Sequence, residues 1–425
     1  MKLLYSDCGG KNMKKFKLLV FVMMSSMTLI GCRAGGAANT GKLPSGGESV
    51  DLKTEEGKTI LKDRVNNAVK AYADLKLESI SVTSTTSGVT ATASTDFTMQ
   101  GLGNVKMDAG IKDFGAKVEL KAAKNDKYLD GSLVVSTTGG NIYAKGSLPG
   151  LEQGKVAKID ANLSLKGAKA SAYLDGSEGK AYVDLSNSGN EKLVKNAESF
   201  ANTLMDQLTK SSLGAMIPTY LDQAYGIEEF YNKSTKQFDF VTPYNKYLPE
   251  KKMAFDLGTK VEFPEEELGE ALGQLSGFEI DLAQIEQVAE MLYQLDIGFE
   301  FVVYKNNAFG FSVGMDKNSL KTILNTAGGE DAAEAIKVID SMVDKFSVNA
   351  SVYFNKNFLL ESAGFSADIA LKIDSLADLG LDQQTAQMFE SFKASAQLKG
   401  KESIAIKYNS DKVSLPNFSD YKAMN

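Results

Sequence analysis

The last third of the chain alternates apolar and polar residues over long runs. Phe299, Phe301 and Val303 alternate, as do Phe309, Phe311, Val313 and Met315. Phe346, Val348, Ala350, Val352 and Phe354 continue the pattern, followed by Phe365, Ala367, Ile369 and Leu371. Phe392 to Leu398 and Ile404 to Tyr408 repeat it. Period two gives each strand one apolar face. Residues 78–186 are also strand-like but milder, built from Thr, Val, Ala and Ser. Turn candidates recur there at Ser87-Gly88, Asp113-Phe114-Gly115, Asp130-Gly131, Gly139-Gly140-Asn141, Lys166-Gly167 and Asp175-Gly176. That spacing predicts a meander of short hairpins, wet on one side.

Helical spacing interrupts the strands. Leu61, Val65, Ala68, Val69, Tyr72 and Leu75 make a stripe over 58–76, and Leu193 to Leu208 open another within 190–232. Two strands are expected at 236–241 and 252–263. A helical pair follows at Glu265–Leu275 and Phe278–Leu295, with Glu265, Glu266 and Glu267 suited to the positive end of a helix dipole. Two more helices are expected at Ser319–Thr326 and Asp331–Lys345, and an irregular tail closes the chain. Strand blocks with interleaved amphipathic helices predict an α+β fold. Its expected form is a large curled antiparallel sheet, an incomplete β-barrel, with helices on its apolar concave face.

The N-terminus adds an address. Lys14, Lys15 and Lys17 precede an apolar run from Leu18 to Ile30, shorter than the roughly 20 residues a spanning helix needs. Residues 1–12 precede a second start at Met13 and stand outside the fold reasoning. A basic start, a short apolar core and a small-residue exit read as a secretory signal. The exit, Leu29-Ile30-Gly31-Cys32, matches the lipobox of bacterial lipoproteins. That resemblance implies cleavage between Gly31 and Cys32 and acylation of the Cys32 thiol. The expected organisation is a signal over 1–31, a Gly/Ser-rich flexible tether over 32–57 and a β-rich body over 58–425. One enlarged unit is expected, with two sub-lobes divided near 190–295 as the alternative.

Composition narrows the chemistry. The net charge is −7 and becomes more negative without 1–31, which holds five lysines and one aspartate. An acidic surface with two arginines, Arg33 and Arg64, argues against nucleic acid. There is no histidine, and the cysteines are Cys8 and Cys32. Histidine triads, thiol nucleophiles and the usual zinc sites are therefore excluded, and no cofactor or metal is expected. Acidic pairs such as Glu228-Glu229 or Asp126 with Asp130 have no distinguishing context. No catalytic residue is assigned, and a non-enzymatic protein is expected.

The order of lipobox, early helix, β-meander, mid-chain helices and long alternating strands resembles the LolA/LppX-like lipoproteins. The ending Val413-Ser414-Leu415-Pro416-Asn417-Phe418-Ser419-Asp420-Tyr421 is similar to endings of such proteins. The resemblance implies an acylated envelope protein, on the outer face of the cytoplasmic membrane or in the outer membrane, carrying lipid under its helices. The expected cavity wall is Phe299, Phe301, Phe309, Phe311, Val348, Val352, Phe365 and Ile369. The expected partners are the membrane, through Cys32, and a lipid or acyl chain, with the protein partner open. The alternative is a structural or surface-interaction lipoprotein with no ligand cavity.

Overall fold

The computed structural model describes residues 43–101, 103–273, 282–328, 330–374, 389–409 and 412–424. The expected signal over 1–31, its expected cleavage site at Gly31 and Cys32, and the expected acylation site Cys32 lie outside the described residues. Among these residues a 14-stranded sheet forms, with two ends that do not pair, so it is open rather than closed into a barrel. The spatial order runs β1 (Glu48–Ser49), β11 (Gly298–Val303), β12 (Phe309–Asp316), β13 (Val343–Phe354), β14 (Leu360–Ile373), β15 (Phe389–Tyr408), then β2 (Ser79–Met99), β3 (Gly103–Asn125) and β4 (Tyr128–Pro149). Beyond β4 come β6 (Lys169–Asp175), β7 (Lys180–Asp184), β10 (Lys252–Asp256) and β16 (Lys422–Met424), while β5 (Val156–Ser164) pairs with β4 alone. All pairs in this sheet are antiparallel except β10 with β16. A separate two-stranded ribbon joins β8 (Tyr231–Asn232) to β9 (Gln237–Phe238).

The long strands correct the expected meander. β2, β3 and β4 span 21, 23 and 22 residues. Ser87-Gly88, Asp113-Phe114-Gly115 and Gly139-Gly140-Asn141 are not turns. They are register shifts that line up across β2, β3 and β4, and β15 shifts beside them between Lys399 and Lys401. Gly88 (φ 62°), Asp113 (φ 52°) and Gly140 (φ 117°) supply the left-handed backbone that such bulges need. Asp130-Gly131 also lies inside β4, whereas Lys166-Gly167 and Asp175-Gly176 are true turns. At this crease β4 changes partner. Asp130–Ser136 pairs with β6, and Asn141–Pro149 pairs with β5.

Eight helices are described. α1 (Glu55–Ala73) starts at Thr54, whose hydroxyl accepts from Gly57 N at 3.0 Å. A Cβ on Gly57 would lie 2.1 Å from Asp51 O, so this turn requires glycine. α2 (Ser188–Leu208) is capped by Asn187. The shorter α3 (Ile217–Gln223) and α4 (Val241–Tyr247) follow. The strand expected over 236–241 shortens to β9, and the strand expected over 252–263 shortens to β10. α5 (Glu265–Gly273) and α6 (Leu282–Gln294) are the expected helical pair. α7 (Lys317–Ala327) begins with a capping box between Asp316 and Ser319. α8 (Glu330–Met342) leads directly into β13.

The core lies where α1 and α6 meet β11 and β12. Leu61, Val65, Ala68 and Val69 of α1 and Ile285 and Ala289 of α6 pack with Phe301 and Phe309. The Lys58 ammonium reaches Glu55 and Glu286, both at 2.9 Å, and ties α1 to α6. Those bonds, Glu55 first, hold its pKa above the usual lysine value. At the other end of α1 the Tyr72 and Tyr408 hydroxyls meet at 3.0 Å.

The expected tether over 32–57 is corrected from residue 43 onward. β1 pairs with β11, Val50 N donates to Phe301 O at 2.8 Å, and Leu52 is buried in the core. The Tyr304 hydroxyl donates to Pro44 O at 2.7 Å. The expected irregular tail is also tied down, through β16. Phe418 stacks on Tyr182 with centroids 3.5 Å apart, and Tyr421 meets both rings edge-on.

Burial pushes the Tyr304 phenol up to about 12. A pKa raised on folding gives stability that is intact below the unfolded value, near 10, and lost as pH rises through the folded value. Ionisation also removes the proton donated to Pro44. Thermal unfolding followed from pH 9 to pH 12 should therefore show a fall between about 10 and 12. Tyr304→Phe should make that fall shallower, and an identical profile in the variant would contradict this role.

Candidate functional site: the uncovered apolar face

Pairing carries one face across the whole sheet. Phe301, Phe311, Val352 and Ala363 stand in successive register on β11 to β14, and Ile404 continues the row on β15. Past the crease Leu398, Ala91, Ile111, Ile142 and Leu163 form the matching row from β15 to β5. The opposite face is polar, with Ser, Thr, Lys, Asp and Asn at the intervening positions.

Two helices cover opposite parts of the apolar face. α1 lies over the β11–β12 side. α2 sets Leu204 and Leu208 against Val105, Ala144, Leu148 and Ile159. Gln207 of α2 also holds the outer strand β5, accepting from Asp160 N at 2.7 Å and donating to Asp160 O at 3.2 Å. Between them the face stays open. Leu371 and Leu398 are 40% and 43% exposed, and Leu120, Leu133 and Val135 are 44%, 39% and 38% exposed. Five large aliphatic side chains on the core-facing side of one sheet are the kind of exposed patch that marks a binding surface.

A row of small side chains runs across this face. Ala396, Ala93, Ala109, Ala144 and Ala161 stand opposite one another across β15, β2, β3, β4 and β5. Methyl groups make a low floor. Leu398, Ile111 and Ile142 rise on one side, with Met107 and Ile159 on the other. Ala93 at one part of the floor is exposed, whereas Ala144 and Ala161 are buried. At the usual strand separation the floor is about 19 Å long, comparable to an extended fatty acyl chain.

The expected wall falls elsewhere. Phe301 and Phe309 are 1% and 0% exposed and pack as core with α1, while Val352, 7% exposed, packs with Ala363, Phe311 and Phe365. Phe299 and Phe311 pack against that core, and Phe365 packs against Val352 and Ala363. Val348 pairs with Met315 and Ala367, toward the crease. Ile369 pairs with Leu398 and so borders the open face. The alanine floor was missed because small residues give a weak alternation signal, although Ala394, Ala396 and Leu398 do alternate.

The acidic pairs have structural partners. Lys233 bonds to Glu228, while Lys246 and the Tyr247 hydroxyl bond to Glu229. These bonds help keep both carboxyls below their usual range, with a backbone bond the first cause at Glu228. Asp130 is buried and accepts from Asn125 Nδ2 at 2.8 Å, whereas Asp126 sits in a turn at φ 56°. Among the described residues no cluster of His, Cys, Asp and Glu could hold a metal ion. None of the described helices is long and apolar enough to cross a membrane.

Comparison with known proteins adds little to this geometry. No family model matches the chain, and no curated protein matches it. One solved structure that it matches is described as a beta-barrel-like protein of a domain of unknown function, DUF1849, from Brucella abortus. The overlap covers 78% of this chain and 99% of that one, at 8% identity and a TM-score of 0.10. At that score the overlap carries no argument.

Proposed function

We propose that this chain is a membrane-anchored envelope lipoprotein, of the LolA/LppX-like kind, that holds the hydrocarbon part of a lipid on the apolar face between α1 and α2. The supporting observation is the row of alanines, which opens at Ala93 and passes toward the residues beneath α2. Apolar sites with few polar groups suit such ligands, and burial of an alkyl chain contributes about 0.8 kcal/mol per CH₂. The reading has no catalytic step. It moves the hydrocarbon site from the expected phenylalanine wall to the other side of the crease.

The anchor in this reading is Cys32. The expected tether over 32–57 is shorter at its far end, because Glu48 and Ser49 already pair with β11.

Covering this row tests the reading. Ala93→Phe with Ala396→Phe places two rings on the open part of the floor. Uptake of a fluorescent fatty acid by delipidated protein should fall at least tenfold, with the circular dichroism spectrum unchanged. No uptake by the parent protein, and no lipid retained in native mass spectrometry, would favour the structural lipoprotein instead.

A further inference from the structure

A second apolar surface stands on turns at one end of the sheet. Every described large aliphatic side chain that is 50% exposed or more lies there: Leu151, Val156, Leu213 and Met216, at 63%, 62%, 50% and 55%. Leu151 and Val156 flank the turn between β4 and β5, while Leu213 and Met216 belong to the segment that joins α2 to α3. Backbone bonds tie the two turns together. Leu151 N donates to Lys210 O at 3.3 Å, and Ser212 N donates to Pro149 O at 2.9 Å. Ser211 is fully buried at this junction, where its hydroxyl donates to Leu208 O at 2.7 Å and accepts from Gly214 N at 2.9 Å. Tyr220 of α3, also exposed, follows one helical turn beyond Met216. The tip is thus a fixed platform that holds apolar groups out in solvent.

The form of the tip favours a bilayer as its occupant. Its side chains project from turns, whereas a bound helix or extended peptide needs a groove or a strand edge. The charged groups beside them pair with each other, Lys155 with Glu152 at 2.6 Å and Lys210 with Asp206 at 2.7 Å. The tip therefore presents aliphatic groups and a tyrosine, without a net charge from these pairs, which suits the boundary between headgroups and hydrocarbon. Directly behind the tip, Leu148 and Ile159 of the same hairpin are buried against Leu204 and Leu208 of α2. Ala161 of the alanine row lies two residues beyond Ile159 along β5. Apolar side chains thus run from the tip to the row.

We propose that Leu151, Val156, Leu213 and Met216 insert into a lipid bilayer and set the α2 end of the alanine row against the hydrocarbon. This rests on the anchored, acyl-holding reading and adds a second contact with the membrane. The chain has no tryptophan, so one introduced ring reports depth. Met216→Trp and, as a control, Lys356→Trp are made in the full-length acylated protein and placed in phosphatidylcholine liposomes with plain or brominated acyl chains. Lys356 lies in the turn between β13 and β14, at the opposite end of the strands. Bromine should quench the Met216→Trp emission at least twofold and leave that of Lys356→Trp within a tenth of its value. Raising the salt should not reduce the quenching, because no attraction between unlike charges holds the tip. Adding Leu151→Ser and Leu213→Ser to Met216→Trp should at least halve the quenching at an unchanged circular dichroism spectrum. No quenching at Met216→Trp, equal quenching in the control, or quenching undiminished by the serines would overturn the proposal. Fatty acid uptake separates the two readings. Uptake without quenching removes the tip contact alone, and quenching without uptake supports the tip contact and removes the alanine row as the acyl site.

Discussion

Replacing Phe309 by alanine should destabilise the protein by about 4 kcal/mol, within the range for emptying a buried phenylalanine site. The side chain is 0% exposed. Its ring lies parallel to Phe354 with centroids 4.6 Å apart, and Phe311 meets it edge-on at 5.6 Å. It belongs to the same cluster as Leu61 and Val65, so its loss leaves a void at the junction of helix and sheet. Neighbours on a β-sheet can close such a void only partly, because their backbones are held by the ladder. Phe299→Ala, on the partly exposed border of the same cluster, should cost less than half as much. Urea unfolding followed by circular dichroism measures both. A loss below about 1.5 kcal/mol at Phe309 would mean that α1 is not sealed onto the sheet there.

Substitution of Cys32 by alanine should have the largest effect on location. In the anchored reading the thiol carries the acyl chains, and membrane binding scales with buried CH₂ groups at about 0.8 kcal/mol each. One chain holds only marginally and two hold firmly. No described helix can replace that anchor by spanning the bilayer. Cell fractionation should therefore move the Cys32→Ala protein from the membrane pellet to the soluble or unprocessed pool, and metabolic labelling with a fatty acid should disappear. Undiminished membrane retention, with no acyl label in the parent, would remove Cys32 from the proposal.

The strands β13 and β14 were legible because Phe346 to Phe354 and Phe365 to Leu371 alternate without a break. α1 was legible because its stripe is clean, although it begins at Glu55, three residues before the expected 58. The crease was not. A glycine or aspartate at positive φ looks the same in sequence whether it ends a strand or bulges it, and Gly88, Asp113 and Gly140 bulge. What separates the two cases is the partner strand, and β2 finds β15 roughly 300 residues away. The apolar face was read only where its residues are large. Its alanine rungs depend on register, which no local pattern states. The tail was opaque for the same reason, since its partners Tyr182 and Met253 lie far back in the chain.

The two outermost strands of the sheet come from the two ends of the described chain. β1 lies along β11, and β16 lies along β10. An open sheet of this width would otherwise present two rows of unpaired amides and carbonyls to any neighbouring chain. The first edge has its cover waiting upstream, since β1 precedes β11 in the sequence. The second does not, because β10 must wait for residues 422–424. Until residues 422–424 are made and pair with β10, that seam stands open, and copies lacking them would be the ones to clump.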